Sequence, residues 1–235
     1  MTRVCLLGTW LFFSVGLPVA EAQERASVVV RSASSSTTDS YDARLVRSIY
    51  AIDTPGFVNA MEGAHLASVP MLIGLPLVVW GGTLWTDAQP ALALSAAWVG
   101  TFGTVTLLKN TIRRPRPFFV LVGIERRGAG PTDVIDRYSF PSGHAGLSFT
   151  IATSLSLSYP EWYVVAPAYL WASATALSRV WHGVHYPSDI LVGALLGSGI
   201  AIGAHLFVDA LLARRNDDPA SQRLPPMIGF SLPLR

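Results

Sequence analysis

Three short polar constellations punctuate an otherwise apolar chain. Lys109 is followed by Arg116-Pro117, then comes Pro141-Ser142-Gly143-His144, and Ser178-Arg179 leads to His185 and Asp189. Lys109 is the only lysine beside sixteen arginines, so a compact ammonium is kept where guanidinium is otherwise used. Pro115 and Pro117 hold the backbone extended around Arg116 and stop a helix from running through it. Ser142 is a good helix N-cap with an apolar run directly after it, which leaves free N–H groups at the positive end of a helix dipole. Gly143 permits close approach, so this is an anion site, and His144 in the first turn is placed to donate a proton once an anion arrives. Beyond Gly183, Pro187 restarts a helix and puts Asp189 in its first turn. From there the carboxylate reaches back to one nitrogen of His185 and leaves the other free to attack.

The stretch 109–137 carries seven cations against three anions. Such a cluster suits an anion, above all a phosphate; snorkelling toward lipid headgroups is the alternative for its arginines. His182 competes with His185 as nucleophile but lacks a carboxylate at the same spacing, and is expected to pack or to contact headgroups. His65 and His205 lie in or beside apolar runs, where core hydrogen bonding is their expected role. Zinc ligation by His144, His182, His185 and Asp189 is chemically conceivable. The surrounding arginines oppose a dication, so neither metal nor cofactor is expected.

The elements that must position these groups are apolar. Hydrophobic residues make up 51% of the 235 and charged ones 14%, roughly half the charged share of a soluble domain. Charges are absent from 63–86, 88–108, 138–160, 162–178 and 190–208. Runs of this length predict an all-α, polytopic membrane helix bundle with five core spans. A net charge of +2 excludes a general nucleic-acid coat, and the lone Cys5 excludes a disulfide framework. Residues 1–22, with Arg3, an apolar stretch and Ala20-Glu21-Ala22, read as a signal peptide or an uncleaved signal anchor.

Residues 23–60 then read as a polar linker and an interfacial amphipathic helix over 41–58, 61–213 as the membrane domain, and 214–235 as a C-terminal tail without assigned function. Alternating spans bring all three constellations to one side. The positive-inside rule puts that side in the cytoplasm, whereas the N-terminal signal puts it outside. The signal decides, because the arginines have a chemical explanation and Arg214, Arg215, Arg223 and Arg235 follow the last run on the other side.

These residues resemble the type 2 phosphatidic acid phosphatase superfamily, which includes membrane lipid phosphate phosphatases and vanadium haloperoxidases. Lys109 with Arg116-Pro117, Pro141 to His144, and Ser178-Arg179 with His185 and Asp189 match its three motifs, within a similarity covering roughly residues 60–212. The resemblance implies that Lys109, Arg116 and Arg179 bind phosphate, with hydrogen bonds from Ser142 and the Gly143 N–H. It implies that His185 attacks phosphorus, Asp189 orients His185 and His144 protonates the leaving oxygen. It also implies six membrane helices, where this sequence offers five plus the 41–58 segment.

The expected activity is that of a metal-independent phosphatase in the bacterial inner membrane, its site facing the periplasm. It would hydrolyse a lipid phosphate monoester or diphosphate through a phosphohistidine. Substrates of the phosphatidate, phosphatidylglycerophosphate, undecaprenyl diphosphate or lipid A type fit; oligomeric state is unassigned. Phosphoryl transfer to a lipid or sugar acceptor and non-catalytic anion transport are the alternatives, and transport leaves His144, His185 and Asp189 without a role. A haloperoxidase is disfavoured by the apolar spans. Two histidines needed in opposite protonation states predict a bell-shaped pH profile centred roughly between 5.5 and 7.5.

Overall fold

A computed structural model describes residues 40–83, 86–128 and 137–217, and among them every regular element is helical. The signal segment, most of the polar linker, Asp133, Asp136 and residues 218–235 of the C-terminal tail lie outside these residues, whereas 214–217 continue the last helix. The helices are α1 (Tyr41–Tyr50), α2 (Pro55–Thr83), α3 (Gln89–Ile112), α4 (Pro117–Val120), α5 (Gly143–Ser158), α6 (Trp162–Trp181) and α7 (Pro187–Asp217).

The amphipathic segment expected over 41–58 is two elements. Ser40 caps α1 by accepting the Ala43 N–H, and the helix stops at Tyr50. Residues 51–54 turn the chain before Pro55 opens α2, in the first turn of a helix, where a missing N–H costs nothing. The apolar face of α1 is covered by protein: Ala43 and Val46 are buried in a cluster with Leu121, Ile124, Val180 and Tyr186.

Helices α2, α3 and α7 are long and apolar enough to cross a bilayer. The charge-free run 138–160 contains only 16 helical residues, because Ser142 sets the start of α5 and the helix ends at Ser158. Large apolar side chains point outward, among them Leu66, Ile73, Leu77, Val99, Leu107, Leu195, Leu206 and Phe207. The interior holds an apolar cluster of Leu72, Val79, Leu94, Leu147 and Ile151 and also pairs hydroxyls: Thr101 with Thr150 at 2.8 Å, and Thr153 with Tyr169 and Ser198, each at 3.0 Å. Lipid solvates apolar side chains but offers no hydrogen bonds, which favours partners for hydroxyls inside the bundle.

Helices α5 and α7 make the most intimate contact. A Cβ at Gly197 would collide with the Gly146 carbonyl and lie 2.9 Å from Thr150 Oγ1, and one at Gly193 would lie 2.6 Å from the Ser142 carbonyl. Small residues four apart let two backbones touch, since in lipid, packing rather than water exclusion drives association. The close approach brings the two helix starts together, with the Ser142 N–H donating to the Asp189 carbonyl at 3.0 Å. Gly197→Val is expected to cost about 3 kcal/mol by overpacking, read as a lowered melting temperature in detergent.

Candidate active site

The C-terminal ends of α3 and α6, the N-terminal ends of α5 and α7 and the α3–α4 connection meet at one end of the bundle. Two strips of chain are zipped together there. Lys109 Nζ donates to the Tyr138 carbonyl at 3.0 Å, and the Ser139 N–H donates to the Arg114 carbonyl at 2.8 Å. This fixes Pro141 and Ser142 beside the arginine segment, where Ser142 caps α5 by accepting the Ala145 N–H. Arg116 is extended (φ −76°, ψ 153°) ahead of Pro117, as its flanking prolines require. Its side chain is buried and turns into the bundle.

His185 sits in the turn between α6 and α7. Gly183 makes that turn possible: its φ is +72°, and a Cβ would lie 2.8 Å from the Glu125 carbonyl. The His185 N–H donates to the Arg179 carbonyl and the Phe118 N–H to the Gly183 carbonyl, tying the turn to α6 and α4. His185 Nδ1 faces Asp189 Oδ2 at 3.5 Å, the outer limit of a hydrogen bond, and has no closer partner among the described residues. Nε2 lies 3.2 Å from a guanidinium nitrogen of Arg116, which also donates to the Val184 carbonyl at 3.0 Å. An Arg116 N–H aimed at Nε2 makes that nitrogen the acceptor and puts the imidazole proton on Nδ1, toward Asp189.

One cavity of about 520 Å³ gathers Lys109, Arg116, Gly143, His144, Arg179 and His185. Ser142 is buried beside it as the cap of α5, and Asp189 is fully buried behind His185. Every predicted site residue thus meets here. Away from the charged end, the wall is apolar, with Val69 and Leu72 from α2, Phe102 and Val105 from α3 and Leu147 from α5. Val69 and Phe102 also lie on the outer surface of the bundle.

His185 is only 2% exposed. Burial, opposed by Asp189 and reinforced by Arg116 and Lys109, pushes its pKa down to about 4. The imidazole therefore stays neutral, and nucleophilic, well below the ordinary histidine range. This moves the acid limb expected from unperturbed histidines. With the substrate's own phosphate ionisation divided out, kcat/KM should hold its plateau down to about pH 4 and fall about tenfold per unit below it. A limb near pH 6.5 would contradict the burial argument.

A family model described as the PAP2 superfamily matches residues 90–212. The chain belongs to the PAP2 superfamily. Among its relatives, decaprenylphosphoryl-5-phosphoribose phosphatase of Mycobacterium tuberculosis is 36% identical over 153 residues, covering 63% of this chain and 79% of that protein. Undecaprenyl-diphosphatase of Sulfolobus acidocaldarius is 44% identical over 71 residues, which span 30% of this chain and 32% of that protein's length. The crystal structure of Aquifex aeolicus LpxE superposes with a TM-score of 0.56 at 27% identity, covering 71% of this chain and 96% of that one. Membership in the PAP2 superfamily, together with the apolar helices α2, α3 and α7, makes the chain an integral membrane protein.

The PAP2 motifs are not the whole cavity. His65, Arg126, Arg127 and His182 line it as well. His65 Nδ1 contacts the Arg179 guanidinium, and the His65 and His182 rings lie 4.5 Å apart. His182 Nδ1 donates to the Ser178 carbonyl at 2.7 Å, and burial lowers its pKa to about 4. His65, expected in the core, is thus a wall of the site: helical periodicity puts it on an apolar span but cannot show that the span passes Arg179. His205, also expected to hydrogen bond, has a buried Nε2 with no partner among the described residues. No three His, Cys, Asp or Glu side chains converge among the described residues as metal ligands would.

Proposed function

We propose that this protein is a lipid phosphate phosphatase acting on a monoester or diphosphate through a phosphohistidine, without a metal. The supporting observation is the pairing of His185 Nε2 with Arg116 at the cationic end of a cavity whose other wall is apolar and reaches the lipid-facing surface. A soluble phosphate ester would leave the apolar wall unused. Phosphorus approaches Nε2, and the Arg116 N–H turns from that nitrogen to a phosphoryl oxygen. Lys109, Arg179 and the N–H groups at the start of α5 hold the other oxygens, supplying charge neutralisation where the transition state needs it. The N–P bond forms as the lipid P–O bond breaks, and His144 gives its proton to the leaving oxygen. Water then loses a proton to His144, attacks phosphorus and frees phosphate and neutral His185.

In the same reading the chain has five core spans, α5 and α6 joining α2, α3 and α7, behind a signal peptide or anchor at 1–22. The site faces the periplasm from the inner membrane, with 61–213 as the catalytic domain. Phosphate release should be measured in detergent from phosphatidate, phosphatidylglycerophosphate, undecaprenyl diphosphate and lipid A, in excess EDTA and with a vanadate control. Release that survives EDTA and is blocked by vanadate supports the reading and ranks the substrates. Activity lost to EDTA and restored by a divalent cation would replace it with a metal mechanism.

A further inference from the structure

Asp189 is fully buried, and its contacts reach beyond His185. Oδ2 accepts the Tyr186 N–H at 2.8 Å, the reach-back of an acidic third residue to the position before a helix. Oδ1 accepts from Arg114 at 2.7 Å, and the same nitrogen donates to Ser188 Oγ at 2.7 Å. The other terminal nitrogen of Arg114 donates to Asp42 Oδ2 at 2.8 Å. Asp42 Oδ1 accepts the Ser188 backbone N–H at 3.1 Å, and Oδ2 accepts the Ser188 hydroxyl. A helix usually takes its cap from the residue before it, but Tyr186 has no oxygen that can fold back onto the first turn of α7. Asp42 supplies that cap from another helix, 146 residues away. Arg114 Cζ lies over the Tyr186 ring, 3.8 Å from its centre, a cation–π contact that helps hold the guanidinium in place.

We propose that Asp42 of α1 and Arg114 are positioning residues that hold Asp189, and through it His185, in the attacking geometry, so that α1 belongs to the catalytic apparatus. This rests on the reading of His185 as nucleophile. An unheld carboxylate could rotate off His185, and an unopposed one would bind the imidazole proton more strongly. Arg114 prevents both by occupying Oδ1 and offsetting part of its charge. The groups facing His185 are Asp189 from α7, Arg116 ahead of α4, Lys109 from α3 and His144 from α5. Those facing Asp189 are Arg114, Tyr186 and His185, with Asp42 one ion pair further out. Removing the Arg114 charge therefore raises the acid limb of the pH profile, because the remaining field on His185 is more negative.

The test is steady-state kinetics of Arg114→Gln, Arg114→Lys and Asp42→Asn, purified as monodisperse protein in detergent, on the most active lipid of the panel above. Arg114→Gln is expected to lose about 10- to 100-fold in kcat with KM changed less than about threefold, and to show an acid limb at higher pH. Arg114→Lys keeps the charge but not the three-way grip, so it should recover part of kcat with the limb at the wild-type position. Asp42→Asn should lower kcat without raising the limb. Wild-type kcat and acid limb in Asp42→Asn and either Arg114 variant would overturn the proposal, as would a loss of folded protein with unchanged kcat per folded molecule. His185→Ala is run alongside: if it still releases phosphate, the phosphohistidine reading falls and takes the relay with it. If it is inactive while the Asp42 and Arg114 variants behave as wild type, the relay alone falls.

Discussion

His185→Ala is expected to lower phosphate release by about four orders of magnitude or more, with helix content and melting temperature near wild type. The magnitude follows from what the imidazole does in the cavity. Among the described residues, its Nε2 alone combines an unprotonated lone pair, a position beside Arg116 and a proton held on the far nitrogen toward Asp189. His182, three residues away, is no substitute. Its Nδ1 proton goes to the Ser178 carbonyl, and no carboxylate among the described residues pairs with its ring. Wild-type enzyme given phosphate-radiolabelled substrate and quenched in alkaline detergent should carry alkali-stable, acid-labile phosphate on protein, and the variant should carry none. Equal labelling of the two would move the nucleophile elsewhere.

Arg116→Lys is expected to reduce kcat by about 10²- to 10³-fold and to weaken vanadate inhibition, although the charge is unchanged. Arg116 uses one nitrogen to hold the Val184 carbonyl at 3.0 Å and to meet His185 Nε2 at 3.2 Å, and in the proposed mechanism the same planar fork turns an N–H to a phosphoryl oxygen. Lysine has one ammonium on a flexible stem. Pulled to the Val184 carbonyl it abandons the phosphate; turned to the phosphate it releases the loop that carries His185. A near-wild-type rate would mean that charge alone matters here and that the fork geometry does not.

Both predictions concern residues legible in the chain before it folds, and there is a physical reason for that. A serine cap ahead of an apolar run, prolines on either side of an arginine, and a histidine four residues before an aspartate each specify a short backbone geometry through local sterics and hydrogen bonds. Helix starts then set the direction of the side chains. The proposed anion site at Ser142–His144 and the His185–Asp189 pair needed no long-range information, and the charge-free runs identified the helices that carry them. Charge gaps located helix ends less well. The gap at 138–160 begins in the Tyr138–Pro141 turn, and α5 starts only where Ser142 caps it.

What joined these pieces was invisible locally. Asp42 and Ser188 are 146 residues apart, and His65 and Arg179 are 114 apart. Neither pairing leaves a spacing signature, because each depends on which helix faces reach the same end of the bundle. Arg114 read as one more loop cation until the fold put Asp42 on one of its nitrogens and Asp189 on the other. The close approach of Gly197 to Gly146 likewise decides that the start of α5 lies against the start of α7, and so that Ser142–His144 meet His185. By itself the sequence determined the chemical groups and the helices bearing them, since those are set by local backbone preference and burial of apolar runs. Only the tertiary structure decided their mutual placement, because it takes helix packing to bring side chains more than a hundred residues apart within hydrogen-bond reach.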